Sequence, residues 1–385
     1  MSVAPDGTPA RASSTLDLGT FEQAIASPVT PPRSSWRPLV VRLRPGEFDG
    51  FEAFCKERRI ALFDTIDRQL MDLAVVRRPS ASNSAKRQEY IEEMVPAYGG
   101  RASYGSWVYL PWEAKIVHVL DRDAYFEVIT DRNQDKITRD ELLLLRTKRI
   151  GVIGLSVGGE AAVTVAQEHL CGGIVLADFD RLDLSNLNRL SAGFDDLGEK
   201  KATIVARRIA KLDPYLEVTL FDDGVTPANL GDFVEGVDLI IEECDDLQMK
   251  RDIRRLAKSR RVDLVFAADE RGFLSVEPYA SCPELRPFHG RIEDPQPPRE
   301  AFRTPLAFMQ ALTEWMGGWD NISERSRRSL ERIGETLAGY PQLASEARYA
   351  AGQLGHVVRR LLLGERLPPF LGNLDLADLI RSAQP

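Results

Sequence analysis

The chain has 385 residues, of which 43% are hydrophobic, and a formal net charge of −8. This length suits two or three domains around a sizeable core, and the acidic charge argues against general binding to nucleic acid or to anionic membranes. No apolar run approaches the roughly 18 residues of a membrane-spanning helix, and the N-terminus lacks a charged-then-apolar signal. We therefore expect a soluble, cytoplasmic protein.

The N-terminal third divides by composition. Residues 1–37 are rich in Ser, Thr, Pro and Ala, which predicts a disordered tail. Residues 38–130 begin with a β-like segment and turn helical around Phe48–Arg78, and they predict a small α+β extension. Within it, the alternating aromatic pattern of 106–120 predicts a hairpin. Its aromatic residues form either a packed face or a binding face, and packing is the expectation we favour.

A glycine turn marks the start of the next domain. Residues 149–159 predict a buried strand, a tight turn and the first turn of a helix. Gly154 lets the chain reverse, and the small residues Ser156, Gly158 and Gly159 let backbone N–H groups approach a phosphate or ribose. The middle glycine of the usual pattern is serine here, and the turn alone is typical of many nucleotide-binding and purely structural units.

Acidic and cationic residues then follow in a fixed order. Asp178 and Asp180 follow the second predicted strand, at the distance where a Rossmann-type fold binds ribose hydroxyls. An NAD enzyme would share this feature. Asn186, Arg189 and Lys201 come next, and fixed cations there suit the charge that develops during nucleotidyl transfer. The order therefore favours ATP chemistry over hydride chemistry.

Four carboxylates follow the strand predicted over Val237–Ile241: Glu242, Glu243, Asp245 and Asp246. Carboxylates at the C-terminal edge of a parallel sheet, beside a triphosphate, suit Mg²⁺. The alternative interpretation is a helix cap, in which Asp245 or Asp246 begins the helix predicted over Leu247–Ser259. Both interpretations stay open on the sequence alone.

Over residues 149–279 these motifs resemble the adenylating domain of the ThiF/MoeB/HesA family in the ubiquitin-activating superfamily. The resemblance implies a Rossmann-like doubly wound sheet over 131–282, with a loop and a helical C-terminal region over 283–385 completing the domain. It also implies the following roles: the turn of Gly154, Ser156, Gly158 and Gly159 binds ATP; Asp178, Asp180 and Asn186 contact it; Arg189 and Lys201 hold its phosphates; and Asp245 associates with Mg²⁺.

The resemblance also implies a homodimer. Arg132 precedes the first strand at the distance where the family carries an arginine that reaches the partner's ATP site, so it is either a third catalytic cation or a solvated surface residue. Ser156, Val157 and Leu190 depart from the family pattern, and Lys250 stands where an arginine is usual. These departures put full catalytic competence, rather than the fold, in question.

The four cysteines are single: Cys55, Cys171, Cys244 and Cys282. Without C-x-x-C pairs the sequence predicts no zinc site. Cys282 follows the last predicted strand, broadly where thioester-forming or sulfur-transferring relatives place a crossover segment. An incidental loop cysteine is the interpretation we favour, because reactivity needs exposure and a depressed pKa.

The resulting hypothesis is an ATP- and Mg²⁺-dependent adenylyltransferase. The resemblance implies a substrate carboxylate at the C-terminal glycine of a small ubiquitin-like or sulfur-carrier protein. Three alternatives stay open: adenylation of a small-molecule or modified-nucleotide carboxylate, a degraded nucleotide-binding scaffold, and an NAD(P)-dependent oxidoreductase. The last leaves the arginine, the lysine and Asp245 unexplained together.

Overall fold

The computed structural model describes most of the chain, namely residues 15–26, 35–80, 83–292 and 305–383. The chain divides into two compact units. Unit 1 comprises residues 1–139 and 206–217, and unit 2 comprises residues 140–205 and 218–385. Within the described ranges, no helix is both long enough and apolar enough to cross a membrane.

Unit 1 contains a four-stranded sheet with helices beside it. Its elements are α1 (Leu18–Ala24), β1 (Leu39–Val41), α2 (Phe48–Glu57), β2 (Ala61–Asp64), α3 (Ile66–Arg77), α4 (Ser84–Met94), β3 (Ser106–Leu110), β4 (Lys115–Val119) and α5 (Arg122–Ile129). The strand order is β1-β3-β4-β2, in which β2 runs parallel to β4 and the other pairs are antiparallel. The predicted hairpin is confirmed as β3 and β4, and Trp107 and Tyr109 are buried in it.

Helix α1 corrects the expectation of a disordered tail. Asp17 caps this helix, because its carboxylate accepts a hydrogen bond from the Thr20 N–H at 2.8 Å. Phe21 is fully buried, with its ring 6.0 Å from that of Phe51 and 5.9 Å from that of Tyr109. Burial of the Phe21 ring thus stabilises a helix in a segment whose overall composition is polar. Residues 1–14 and 27–34 of the predicted tail lie outside the described residues.

Unit 2 contains a seven-stranded sheet in the order β11-β10-β9-β8-β5-β6-β7. The elements from residue 139 onward are α6 (Arg139–Leu145), β5 (Arg149–Ile153), α7 (Val157–Gln167), β6 (Gly173–Ala177), α8 (Lys201–Leu212), β7 (Glu217–Phe221), α9 (Leu230–Val234), β8 (Leu239–Glu242), α10 (Leu247–Arg260), β9 (Asp263–Ala267), β10 (Phe273–Glu277), α11 (Pro305–Trp315), α12 (Glu324–Leu330), α13 (Ala344–Leu362), β11 (Phe370–Asn373) and α14 (Leu376–Ser382). Strands β6, β5, β8 and β9 are parallel, whereas β10 is antiparallel to β9 and β11.

This architecture confirms the predicted α/β, Rossmann-like fold with a helical C-terminal region. The strands read as apolar runs because both faces are covered, and Ile150, Ile174 and Ile240 have no exposed surface. Helix α13 packs closely on α7: a Cβ atom added at Gly355 would lie 3.2 Å from the Thr164 methyl. The parallel strands end at one common edge of the sheet, which is where such folds bind ligands.

Strand β11 is one of the elements that the sequence did not predict. It extends the sheet by pairing antiparallel with β10, with Leu274 opposite Gly372. Its four residues, Phe-Leu-Gly-Asn, show no alternation of apolar and polar residues and follow two prolines. A tertiary pairing of this kind leaves little local signal, because the strand is stabilised by its neighbour rather than by its own residues.

Candidate active site

The glycine turn after β5 is shaped by a close backbone approach. Gly154 has a φ of +82°, and a Cβ atom added there would lie 2.3 Å from the carbonyl oxygen of Glu243. The Gly154 N–H donates to the Ala177 carbonyl at 2.9 Å, and the Glu243 N–H donates to the Ile153 carbonyl at 2.7 Å. Only glycine satisfies both the left-handed conformation and this packing. The turn therefore links the ends of three neighbouring strands.

Asp178 holds the same turn from the end of β6. Its carboxylate accepts hydrogen bonds from the Leu155 N–H at 2.6 Å and from the Asp180 N–H at 2.7 Å. It is 9% exposed, and burial raises its pKa, although the two backbone donors and Lys201 oppose that rise. In this structure Asp178 orders the nucleotide turn, while its contact with a ribose stays a prediction.

Lys201 and Asp180 form an ion pair in the lining of the cavity. The Lys201 ammonium donates to the Asp180 carboxylate at 2.8 Å, and the Lys201 N–H donates to the Asp180 carbonyl at 2.9 Å. Lys201 is 9% exposed and begins helix α8, whereas the side chain of Asp180 is half exposed. The pair fixes the lysine at the rim with its charge directed toward the site.

Arg189 is positioned by the short 3-10 helix Leu184–Asn188. Asn186 is buried and stabilises that helix, because its side-chain oxygen accepts a hydrogen bond from the Asp183 N–H at 3.0 Å. The Arg189 guanidinium donates to the Ser156 hydroxyl at 3.3 Å and to the Asn188 side-chain oxygen at 3.0 Å. Half-burial lowers its pKa, and nearby Asp269 and Asp245 oppose this. The two predicted ATP contacts thus have different tasks: one orders the loop and the other presents a cation.

The four carboxylates after β8 have four different surroundings. Glu242 is fully buried and accepts from the Lys250 ammonium at 3.0 Å, and Glu243 accepts from the Ala267 N–H at 2.8 Å. Asp246 caps α10 by accepting from the Met249 N–H at 3.0 Å. Asp245 opens into the cavity, whose walls displace bulk water and raise its pKa. The cap and the cavity carboxylate are therefore adjacent but different residues.

These residues surround a cavity of about 430 Å³ at the strand ends. It brings together Ser156, Asn186, Arg189, Lys201, Asp180 and Asp245 from the predicted site. It is also lined by Val157, Arg181, Asp183, Glu243, Lys250, Phe266, Ala267, Ala268, Asp269, Leu312 and Gln342. Gly158 and Gly159 lie in the buried first turn of α7 behind this wall, where a Cβ atom added at Gly158 would lie 3.2 Å from the Glu243 side chain.

Asp269 is a cavity residue that the sequence interpretation missed. It follows β9, and burial raises the pKa of its carboxyl while the Gln342 side chain and Arg189 oppose that rise. The Gln342 carbonyl in turn accepts from the Asn188 side chain at 2.7 Å. A signal existed for Asp269, because it follows a strand that ends at the same sheet edge. Gln342 had none, since it arrives from a distant segment.

Two predicted residues are not among those that line this cavity. Arg132 belongs to unit 1, where its side chain is 96% exposed, and its proposed role in a partner's site stays a prediction. Cys282 is partly exposed in the turn after β10, where its N–H donates to the Pro278 carbonyl at 2.8 Å. Burial raises the pKa of the Cys244 thiol well above its usual range, which fits an unreactive residue. In the described part of the chain, no three His, Cys, Asp or Glu residues form a metal-binding group.

The site therefore consists of a glycine turn, two cations and an open carboxylate at the ends of the parallel strands of a Rossmann-like fold, which is the edge where such folds bind ligands. Comparison with known proteins is more specific. Residues 130–278 match the model of the ThiF family. The resemblance inferred from the motifs is thereby confirmed.

Three relatives are informative. An uncharacterized protein of Mycobacterium tuberculosis is 35% identical over 353 residues, which cover 90% of this chain and 47% of the relative. The tRNA threonylcarbamoyladenosine dehydratase of Escherichia coli is 32% identical over 127 residues, covering 32% of this chain and 47% of that enzyme. The sulfur carrier protein ThiS adenylyltransferase of Escherichia coli is 27% identical over 136 residues, covering 35% and 54%. The chain therefore spans about half the length of each of these relatives.

Proposed function

We propose that the chain is an ATP-dependent adenylyltransferase that activates a carboxylate as an acyl-AMP and releases pyrophosphate. The observation that carries this proposal is the convergence of Arg189, Lys201 and Asp245 on one cavity of about 430 Å³. The ThiF-family match over 130–278 and the relative named as an adenylyltransferase support the same activity. An oxidoreductase would leave this convergence of two cations and a carboxylate unexplained.

The proposed reaction requires that ATP and the substrate carboxylate be positioned and that the negative charge on the phosphates be stabilised. A substrate carboxylate oxygen attacks the α-phosphorus of ATP, a new P–O bond forms, and the bond to the bridging oxygen breaks with pyrophosphate as the leaving group. No general base is required, because the attacking carboxylate is already ionised. Arg189 and Lys201 would hold the phosphates and stabilise the charge that builds on them in the transition state.

The donor set of the cavity fits a Mg²⁺ ion that is shared with ATP. Mg²⁺ prefers a few carboxylate oxygens together with substrate phosphates. Asp245 offers such oxygens to the cavity, whereas Asp180 is already paired with Lys201. Asp245 would hold the ion. When bound, the ion would neutralise part of the negative charge of the phosphates.

Two substrate classes follow from the relatives. The first is the C-terminal glycine of a small ubiquitin-like or sulfur-carrier protein, supported by the relative that is named for a sulfur carrier. The second is a modified-nucleotide carboxylate, supported by the relative named for a tRNA nucleoside. We further propose a cytoplasmic homodimer in which Arg132 reaches the partner's ATP site. Mutation of Arg132 in a mixed dimer would test that role.

The direct test is ATP–pyrophosphate exchange with Mg²⁺. Ubiquitin-like carriers with free C-terminal glycines, small carboxylates and threonylcarbamoyl-modified RNA would be offered in parallel. Exchange that depends on one acceptor class would establish the activity and choose between the substrates. ATP binding without exchange on any acceptor would instead support a degraded scaffold, and absence of ATP binding would refute the proposal.

Two adjacent lysines give a matched pair of variants. Lys201→Ala removes a cavity cation, and we expect exchange turnover to fall by about 10²-fold, as when one transition-state donor is removed. Lys200→Ala changes its neighbour, whose ammonium pairs with Asp222 at 3.2 Å and Asp223 at 2.7 Å. Turnover of this control should stay within about threefold of the wild type, because Lys200 is not among the residues that line the cavity and its ion pairs at the surface contribute little to stability. Equal losses in both variants would contradict the assignment of Lys201.

A further inference from the structure

A set of buried charges lies beneath the loop that presents Asp245. Glu242 at the end of β8, Arg254 in α10 and Glu277 in β10 are fully buried, and Lys250 in α10 is 1% exposed. Two negative and two positive side chains therefore share a site with almost no access to water. Burial of four charges lowers the stability of the fold unless each charge is paired. We therefore examined which contacts the four side chains make.

The four side chains form one continuous chain of contacts. The Arg254 guanidinium donates to Glu242 at 2.5 Å and to Glu277 at 2.7 Å, and the Lys250 ammonium donates to Glu242 at 3.0 and 3.3 Å. Glu277 also accepts from the Tyr279 hydroxyl at 2.7 Å. Glu242 is the member on which two cations converge.

Aromatic rings keep this chain of charges away from water. The Lys250 ammonium lies 4.0 Å from the centre of the Phe266 ring, and the Arg254 guanidinium lies 4.4 Å and 4.9 Å from the rings of Phe288 and Trp315. Burial would raise the pKa of Glu242, but Lys250 and Arg254 outweigh it and lower that pKa to about 2. Glu242 is therefore an ionised acceptor held in one orientation.

Glu242 also accepts a hydrogen bond from the loop that carries Asp245. Its carboxylate accepts a hydrogen bond from the Cys244 N–H at 2.9 Å, one residue before Asp245. On the other side of Asp245, Lys250 donates its own N–H to the Asp246 carbonyl at 2.8 Å. The second bond is the first backbone bond of α10, so the contact that ties the loop to the buried charges is the one between Glu242 and the Cys244 N–H.

We propose that Glu242, oriented by Lys250 and Arg254, is a positioning residue that fixes the loop carrying Asp245. This inference rests on the proposed function for its catalytic consequence, since it acts on the reaction only through Asp245. The charges serve to place one carboxylate, and an apolar core of the same volume could replace them for stability alone.

The test compares Glu242→Leu with the double variant Glu242→Leu/Lys250→Met. The single variant leaves Lys250 buried without its acceptor, and we expect a clear loss of thermal stability. The double variant replaces the pair with apolar side chains of similar size and leaves Arg254 paired with Glu277, so its melting temperature should recover toward the wild-type value. Lys258→Met, two turns further along α10, is the control for the lysine change.

Three readouts are measured on the double variant. Amide hydrogen exchange in peptides covering residues 241–250 should become at least about tenfold faster, because the Cys244 N–H loses its acceptor. Pyrophosphate exchange turnover should fall at least about tenfold, since misplacement of a catalytic group by about 1 Å has such effects. Because Lys250 also lines the cavity, turnover and affinity for ATP without Mg²⁺ are compared with those of Lys250→Met alone. Adding Glu242→Leu should lower turnover further and leave the affinity within about threefold of that single variant.

Wild-type amide protection in the double variant would overturn the proposal, and so would wild-type turnover at recovered stability. If the wild-type chain shows no pyrophosphate exchange with any acceptor, the proposed function fails. The amide measurement then still decides whether Glu242 fixes the loop. Turnover that falls in Lys250→Met but stays near the wild-type value in Lys250→Arg, which keeps a cation beside Glu242, would support the positioning role further.

Discussion

Ser156 shows how a departure from the family pattern is accommodated at the level of one residue. It occupies a position where the resembling family carries glycine, and its hydroxyl accepts a hydrogen bond from Arg189 at 3.3 Å. Its backbone has a φ of −78°, which does not require glycine. The serine therefore adds a contact to a site cation without straining the turn. The structure thereby accounts for the substitution at this position.

Gly154 differs from Ser156 because its conformation cannot be adopted without strain by another residue. Gly154→Ala places a Cβ atom against the Glu243 carbonyl at a φ of +82°. We expect it to lower the free energy of unfolding by about 2 kcal/mol or more, from backbone strain and steric overlap. Denaturant unfolding followed by circular dichroism would measure this change.

Gly352 provides the matching control. It lies in α13 with nothing within 4 Å of an added Cβ atom. Gly352→Ala should raise the free energy of unfolding by about 0.5–1 kcal/mol, because alanine restricts the unfolded chain and favours the helix. Equal destabilisation by both variants would show that the special conformation of Gly154 is unimportant.

Glu346 should make stability depend on pH. Burial, and then Asp269 and Glu270, raise the pKa of Glu346 to about 7. A carboxyl whose pKa is raised in the folded state costs stability as pH rises from its unfolded value of about 4.3 through 7. Glu346→Gln should therefore melt higher than the wild type at pH 8, and the difference should vanish near pH 4.

The expected gain is below about 1 kcal/mol, because Glu346 is only partly buried and solvent screens its neighbours. Melting temperatures of both proteins between pH 4 and pH 8 would measure it. A difference that is constant over this range would contradict the assigned cause, since only a titrating carboxyl produces the pH dependence.

At the scale of secondary structure elements, the two adjacent aspartates that precede helix α10 have different roles, one in stability and one in the proposed catalysis. Asp246 caps the helix, whereas Asp245 opens into the cavity. Asp246→Ala should lower the free energy of unfolding by about 1 kcal/mol and retain most of the exchange activity. Asp245→Ala should instead lower the exchange activity and leave the free energy of unfolding nearly unchanged. Thermal melting and pyrophosphate exchange on both variants would test this, and loss of activity only in Asp246→Ala would refute the assignment.

The sequence predicted those elements whose local pattern and tertiary role agree. The apolar strands β5, β6 and β8 were found because buried parallel strands are apolar runs, and the glycine turn was identified through the strand before it and the acidic and cationic residues after it. The positions of Arg189, Lys201 and Asp245 at one edge followed from the fold. Strand β11 and the cavity residue Gln342 were missed, because contacts made across 70 residues or more leave no local pattern.

The roles of individual carboxylates were the part that sequence could not resolve. Four acidic residues in a run of five looked like one cluster, yet Glu242, Glu243, Asp245 and Asp246 face four different surroundings. Their division depends on Lys250, on the Ala267 N–H and on the start of α10. Those partners come from other elements, so only three-dimensional packing assigns them.

For the molecule as a whole, ATP should act as a stabilising ligand. A ligand that binds only the folded state at about 100 times its Kd adds about 2.7 kcal/mol to the free energy of unfolding. Addition of ATP should therefore raise the melting temperature by several degrees. The rise should be smaller in Lys201→Ala than in Lys200→Ala at the same nucleotide concentration. An unchanged melting temperature in the wild type would contradict nucleotide binding.

Helix α8 belongs to both compact units, and this has a practical consequence for anyone dividing the chain. Its first turn carries Lys201 of the cavity, whereas residues 206–217 complete unit 1. There the Tyr125 hydroxyl donates to the Leu212 carbonyl at 2.6 Å, and the Tyr215 hydroxyl donates to the Leu120 carbonyl at 2.7 Å. A recombinant fragment that begins at the family-matched segment would strip these residues of their neighbours and expose an apolar surface. The boundary of the sequence family is therefore not a boundary at which this protein can be cut.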